Sequence, residues 1–152
     1  MTQALNALLE NAERQRDEAL ARLVQAEESG RRLRNQWEQL RAYRADYEAR
    51  APGLGGRAAP IELLRCHQGF VQRLDQALNQ QSALLHNAEQ QLALKRQLLL
   101  ERETHVASVR KLAERRLQEH QRSSARLEQK RSDEAATQRR WRDSAQGSTL
   151  TH

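Results

Sequence analysis

The sequence is poor in the residues from which enzymes and membrane proteins build their sites. Only 3% of its 152 residues are aromatic, and it has one cysteine, two prolines and six glycines. A single cysteine allows no internal disulfide, and no stretch approaches the roughly 20 apolar residues that a membrane span needs. The N-terminus lacks a basic segment followed by an apolar block, so we infer no secretory signal. We therefore expect a soluble cytoplasmic protein.

Motifs for chemistry are also missing. The GLGG run at 53–56 lacks the following Lys and Ser/Thr that a phosphate-binding loop requires. The five histidines never form a close pair on one helical face with a Glu or Cys at ligand spacing. A thin two-helix protein also has no interior in which to form a catalytic cleft. We predict that the protein is not an enzyme and takes neither a cofactor nor a metal.

What the chain does contain is typical of long helices. Hydrophobic residues make up 38% and charged residues 30% of it, with abundant Ala, Leu, Gln, Glu and Arg. Two apolar ladders with a seven-residue step indicate helices that supercoil about each other. Their rungs are Leu5, Ala12, Ala19, Ala26, Leu33, Leu40 and Tyr47, and then Leu64, Val71, Leu78, Leu85, Leu92, Leu99 and Val106.

The segment between the ladders, APGLGGRAAP, predicts a turn because two prolines bracket adjacent glycines. A fold point between Gly55 and Gly56 places rungs opposite each other when their numbers sum to 111, as for Tyr47 with Leu64. The predicted fold class is all-α, an antiparallel coiled-coil hairpin that we expect to be monomeric. The predicted parts of a single domain over 1–152 are helix one at about 3–50, a loop at 51–60, helix two at about 61–140 and a flexible tail at 144–152.

Positive charge is concentrated in the last third of the chain. Residues 1–50 carry nine basic and nine acidic side chains, whereas residues 110–142 carry eleven and five. This excess lies beyond the last rung, Val106, so helix two is predicted to continue as a basic overhang that can bind a partner. Nucleic acid is one possible partner. We do not expect it, because acidic residues interrupt the segment and stacking aromatics are not interleaved with its basic residues.

Four of the five aromatic residues lie near the predicted turn. Three of these four belong to two stripes of matching helical spacing, one on each helix. Seam packing and partner docking both remain open for these stripes, because a two-helix seam covers large side chains only partly. The stripe on helix one is Gln36, Leu40, Tyr43 and Tyr47, and that on helix two is Phe70, Leu74, Ala77 and Gln81.

The run QWEQLRAYRADYEAR, a glycine-containing loop and the run HQGFVQRLDQALNQQ together resemble the flagellar FliJ family. These are small cytoplasmic proteins of the flagellar type III export apparatus, and the resemblance covers most of the chain. It implies an antiparallel coiled coil similar to the central stalk of rotary ATPases. It also implies an activator of the export ATPase ring that escorts export chaperones. The implied partners are the export ATPase FliI, its regulator FliH, the export gate protein FlhA and the chaperones.

The resemblance implies residue roles as well. Both stripes would form the surface that binds the export gate, with Gln81 at a position where the family favours histidine. The basic overhang would contact the ATPase ring through Arg110, Lys111, Arg115, Arg116, Arg122 and Arg126. The implied location is the cytoplasmic face of the inner membrane, at the export apparatus. Other interpretations are the equivalent stalk of an injectisome, a structural coiled-coil adaptor and a basic nucleic-acid-binding helix pair.

Overall fold

A computed structural model describes residues 2–53 and 59–149. The element order is α1, Thr2–Ala49, followed by α2, Ile61–Thr149. The two helices pack against each other as an antiparallel helical hairpin, and no strand occurs in the two described ranges. The predicted fold class is confirmed.

The end of α1 is closed by backbone hydrogen bonds in its last turn. The Arg50 N–H donates to the carbonyl oxygen of Asp46 over 3.2 Å. Gly53 follows with φ at 91°, a left-handed conformation that glycine adopts readily because it has no Cβ. The chain therefore leaves the helix where the proline and glycine pattern predicted. The predicted fold point, between Gly55 and Gly56, lies outside the described residues.

The far end of α2 differs from the expectation. The helix continues to Thr149, beyond the end predicted at about 140, and residues 144–149 of the predicted tail are helical. Ser144 contributes a local bond, since its Oγ donates to the carbonyl oxygen of Trp141 over 3.0 Å. Apart from Gly147 this stretch has no helix breaker, so nothing in its local sequence ends the helix earlier.

The contacts of the chain fall into two compact units. One comprises Glu13–Thr104, and the other comprises Met1–Ala12 together with His105–His152. In each unit part of α1 packs on part of α2. Buried apolar residues are Ala19, Leu23 and Leu74 in the first unit, and Ala12, Val106 and Val109 in the second. That the chain acts as one domain stays a prediction.

The predicted pairing of the two ladders is wrong by about one seven-residue step. Tyr47 was expected opposite Leu64, but its ring contacts His67 and Phe70 instead. Gln15 accepts a hydrogen bond from Arg102 over 3.1 Å. The residue numbers sum to 117 both for Tyr47 with Phe70 and for Gln15 with Arg102, rather than to 111. In the first unit these α1 residues therefore meet residues six positions further along α2 than predicted, close to one heptad.

The ladders alone could not have revealed this shift. A slip by one whole heptad exchanges every rung for the next rung of the same ladder, so apolar still meets apolar. All predicted rungs are accordingly buried or half-buried in the structure, as expected. The sequence analysis missed a second ladder on α2 that shares the seam, three residues after each rung. Its members are His67, Leu74, Gln81, Ala88, Lys95, Arg102 and Val109.

Candidate functional site

An aromatic cluster joins the two helices in the unit Glu13–Thr104. The Tyr47 ring stacks on His67, with centroids 4.5 Å apart and planes inclined by 8°, and lies 4.6 Å from Phe70. Tyr43 meets Phe70 edge-on at 6.4 Å. Edge-on and tilted contacts suit the charge distribution of aromatic rings, and they hold the cluster in one arrangement. Three of the eight predicted gate-binding residues are thus brought together.

Within this cluster, Tyr43 is the residue most available to a partner. Its side chain is 52% exposed, whereas Tyr47 and Phe70 are half-buried between the helices. A tyrosine with one face packed and one face in water is a typical anchor of protein interfaces. Tyr47 therefore packs in the seam, as the first interpretation of the stripes predicts, whereas Tyr43 lies at the edge of the seam and its docking role stays a prediction.

The other five predicted residues differ widely in exposure. Gln36 is exposed, Leu40 and Ala77 are half-buried, and Leu74 is only 7% exposed. Leu74 can support the surface from below but offers little area to a partner. Among the described residues, the Gln81 Oε1 is buried and has no hydrogen-bond partner. An unpaired buried amide oxygen is destabilising, and it makes Gln81 a weak point of the seam.

An ion pair lies beside the cluster. Arg44 donates from Nε to Asp75 Oδ1 over 2.5 Å and from Nη2 to Asp75 Oδ2 over 3.3 Å, and its Nη1 bonds Glu48 over 2.7 Å. The hydrogen bond to Asp75 raises the pKa of the Arg44 guanidinium above its usual value. The side chain of Arg44 is 29% exposed and that of Asp75 is 46% exposed. This two-pronged bond fixes the relative position of the helices next to the aromatic rings.

Two residues of this site, His67 and Asp75, are missed by sequence reasoning. The sequence analysis assigned His67 to neither stripe, yet its ring stacks on that of Tyr47. The signal that could have identified it is its place three residues after Leu64, which puts it in the second ladder of α2. Asp75 could not have been found without the correct pairing, because the predicted pairing places Arg44 opposite His67.

The second candidate surface is the exposed part of α2. Every residue from 114 to 148 is exposed, including the apolar side chains of Leu117, Leu127 and Trp141. All six residues assigned to ring binding lie here or just before, and each is exposed: Arg110, Lys111, Arg115, Arg116, Arg122 and Arg126.

The described residues give no support to two other classes of site. They contain no group of three or more His, Cys, Asp or Glu residues that could hold a metal ion. No helix in residues 2–53 or 59–149 combines the length and apolar character needed to cross a membrane. The single cysteine, Cys66, is exposed near the start of α2.

The two long helices and their antiparallel packing define the protein as a coiled-coil hairpin. Comparison with protein families identifies which one: the family model described as "Flagellar FliJ protein" matches residues 1–145. The chain therefore belongs to the FliJ family, which confirms the resemblance seen in the sequence. Neither a comparison with curated proteins nor one with solved structures gave a significant match.

Family membership sets the coarse function. The protein is a component of the flagellar export apparatus, and the family is a non-catalytic part of that machinery. Interaction with the export apparatus follows in general terms. Of the interpretations that the residues left open, the flagellar one is the one that the family match supports.

Proposed function

We propose that this protein is a stalk-like activator of the export ATPase ring that also links the ring to the export gate. Its partners would be the ATPase FliI, the regulator FliH and the gate protein FlhA. Two observations on α2 support the ring-binding part of this proposal. Every residue from 114 to 148 is exposed, and basic side chains outnumber acidic ones from Arg110 onward. A helix of this kind can enter a partner and pair its charges with acidic groups there.

The ring-binding part is tested by the rate of ATP hydrolysis of the purified export ATPase, with and without this protein. Truncation after Ala113 keeps every buried and half-buried seam position of α2. We expect this truncation to abolish both stimulation of hydrolysis and co-purification with the ATPase. Unchanged stimulation by the truncated protein would contradict the proposal.

Charge can be separated from helix length in the full chain. Replacement of Arg115, Arg122 and Arg126 by Gln keeps a good helix former at each position and removes three positive charges. Stimulation should weaken and should lose part of its dependence on salt concentration, because screened charges would contribute less to binding. The matched control replaces Arg31, Arg65 and Arg73 by Gln, since these three arginines are also exposed. Equal losses in both variants would mean that net charge alone matters.

The gate-binding part rests on the aromatic cluster and is tested with the purified cytoplasmic portion of FlhA. Tyr43→Ala removes an exposed ring without opening the seam, so we expect binding at least about ten-fold weaker with unchanged helicity. The control is Leu84→Ala, which removes a side chain that is 50% exposed on α2 and lies outside the stripes. Equal affinity of Tyr43→Ala and the unmodified protein would exclude this surface as the docking site.

Escort of export chaperones and residence at the cytoplasmic face of the inner membrane complete the proposal. Both are supported by family membership rather than by a particular contact. Fractionation of cells with and without the export gate tests the location. We expect the protein to move from the membrane fraction to the soluble fraction when the gate is deleted. If the share of the protein in the membrane fraction does not change when the gate is deleted, the proposed link to the gate is contradicted.

A further inference from the structure

The pairing of the two helices poses a specificity problem. A slip of α1 along α2 by one heptad keeps the apolar rungs in contact and moves the helices by about 10 Å. The apolar ladders therefore do not by themselves distinguish the observed pairing from its neighbours. Something outside the ladders must select it.

Four charged residues flank the seam in a pattern that can make this selection. Glu27 and Arg34 lie seven residues apart on α1, and Glu89 and Arg96 lie seven residues apart on α2. Because the helices are antiparallel, the arginine of each helix lies opposite the glutamate of the other. Arg34 Nη2 lies 3.0 Å from Glu89 Oε1, and Arg96 Nη2 lies 4.0 Å from Glu27 Oε1.

A slip in either direction brings like charges together. If α1 residues move to partners seven positions earlier on α2, Glu27 faces Glu89 and Arg34 faces the uncharged Ser82. If they move seven positions later, Arg34 faces Arg96 and Glu27 faces Glu103. Like charges opposite each other destabilise about as much as opposite charges stabilise. Only the observed pairing among the three satisfies all four residues.

Side chains do not fill the seam at this point. A groove of about 350 Å³ lies there, and its lining includes the four charged residues, the small residues Gly30 and Ala88, and the rungs Leu85 and Leu92. Within the described chain, a Cβ added at Gly30 would meet nothing within 4 Å. The two leucines are members of the apolar ladder, which a whole-heptad slip leaves in apolar contact. The charges therefore distinguish pairings that the leucines do not.

Arg44 and Asp75 form a second element of the same kind. In the observed pairing they make the two-pronged bond described above. A slip by one heptad would place Arg44 opposite Gln68 in one direction and Ser82 in the other. Gln68 and Ser82 are both uncharged, so the ion pair of Arg44 is lost in either slipped pairing. The Arg44–Asp75 ion pair therefore stabilises the observed helix pairing only. The four-residue pattern also destabilises the two slipped pairings.

We propose that Glu27, Arg34, Glu89 and Arg96, supported by Arg44 and Asp75, form a charge lock that selects one heptad pairing of the hairpin. The lock acts by repulsion in the slipped states as much as by attraction in the native one. This goes beyond the proposed function, since it concerns the free protein and needs no partner.

The test measures which residues face each other, using pairs of spin labels in the Cys66→Ser background. Gln25 and Leu94 have residue numbers that sum to 119, as do those of the bonded pair Arg44 and Asp75. Labels at Gln25→Cys and Leu94→Cys should be close, and labels at Gln25→Cys and Asn87→Cys should be farther apart. A slip that pairs α1 with residues seven positions earlier on α2 would reverse this order, because Asn87 would then take the place of Leu94. The three labelled positions are exposed and lie outside the lock.

The deciding variant carries Gln68→Asp, Asp75→Gln and Glu89→Arg. In the native pairing, Glu89→Arg sets a second guanidinium against Arg34, whereas the slipped pairing offers Glu27 and Arg44 new partners of opposite charge. We expect the two distances to exchange order. Native order in the deciding variant would overturn the proposal and assign the selection to the aromatic cluster.

The control for the deciding variant makes the same exchanges in the exposed segment of α2. It carries Gln121→Asp, Asp133→Gln and Glu128→Arg, three positions that are all exposed. The change in net charge is the same, but no residue of the lock is touched. The control should therefore keep the native order of distances, and a reversal in it would overturn the lock by showing that net charge sets the pairing.

If the deciding variant loses helicity, the single variant Glu89→Arg tests the proposal instead. The Glu89 side chain is 53% exposed, so this substitution does not disturb the interior. We expect a second, slipped distance to appear and its share to rise several-fold over the unmodified protein. The same slipped share should rise in the unmodified protein at 1 M salt, where exposed charges are screened. Distances that respond neither to Glu89→Arg nor to salt would equally overturn the charge lock.

Discussion

The segment 61–104 of α2 and the segment 114–148 of the same helix differ in one respect above all. Both are helical and both are rich in Gln, Glu, Arg and Ala. The first contains Leu74, which is 7% exposed, and repeats half-buried positions at every heptad, whereas the second is exposed at every residue. Helical periodicity alone therefore does not bury a side chain. Burial requires a partner helix, which the first segment has in α1.

Charge is used differently in the two segments. In the first, Asp75, Glu89 and Arg96 are each paired with a residue of α1. In the second, acidic residues are too few to balance the basic ones, because residues 114–148 carry nine basic and six acidic side chains. The charges of the first segment select an internal partner. The second segment keeps a net positive charge.

The largest expected effect that separates the two segments is the loss of a leucine. Leu74→Ala should lower the free energy of unfolding by about 2–3 kcal/mol, because it removes buried methyl groups and leaves a gap in the seam. Leu127→Ala removes a side chain that is 53% exposed and should change it by less than about 0.5 kcal/mol. Urea unfolding followed by circular dichroism measures both. Equal effects would mean that the two segments are equally covered in solution.

A smaller effect of the opposite sign is expected at Gln81. Gln81→Met keeps the length of the side chain and removes the buried amide oxygen, so it should stabilise the protein by about 1 kcal/mol. The same exchange at Gln121, which is exposed, should leave the stability nearly unchanged. Thermal unfolding compares the two variants. A destabilised Gln81→Met protein would show that the amide finds a partner in solution.

Glycine replacement sharpens the comparison further. Gly30→Ala should stabilise by about 0.5–1 kcal/mol, because alanine favours the helix and its added Cβ meets no atom within 4 Å. Gly147→Ala is equally free of clashes but lies in the last turn of α2, so we expect only a small rise in helicity there. Calorimetry for the first variant and circular dichroism for the second measure these changes. A destabilised Gly30→Ala protein would mean that the helices approach more closely at this point.

The smallest expected effect concerns pH. A hydrogen bond from Arg32, 2.8 Å long, lowers the pKa of Glu28, with the charge of Arg32 as the next cause. A lowered pKa in the folded state stabilises the protein above the carboxyl's unfolded pKa of about 4.3, and this contribution is lost as pH falls through the folded value. Glu28→Gln should thus lower the melting temperature slightly at pH 7, and by less at pH 3. Melting temperatures at the two pH values test this, and a difference that grows on acidification would contradict it.

The fold class was predictable from the sequence because apolar periodicity and loop composition are local signals. The ends of the helices near the turn, at Ala49 and Ile61, lie within one residue of the expected ones. The pairing was missed because the ladders repeat every seven residues and so look the same after a whole-heptad slip. The information that resolves it lies in Tyr47 with Phe70 and in Arg44 with Asp75, pairs that become visible only when the helices are brought together.

The candidate site was predictable to a similar extent. Helical spacing correctly grouped Tyr43 with Tyr47 on one stripe and placed Phe70 on the facing helix. It could not separate Leu74, which the seam covers, from Tyr43, which solvent reaches, because exposure depends on the exact pairing. The roles of the eight stripe residues and of the six basic residues in binding stay predictions.

The contact between Tyr47 and Phe70 has a thermodynamic consequence for any ligand that touches both helices at this point. Each helix supplies only half of the surface, so such a ligand binds the closed hairpin and not a chain whose helices have parted. By mass action it then raises the melting temperature in step with the logarithm of its free concentration. Such a ligand would therefore hold the two helices together without contacting any other part of the seam.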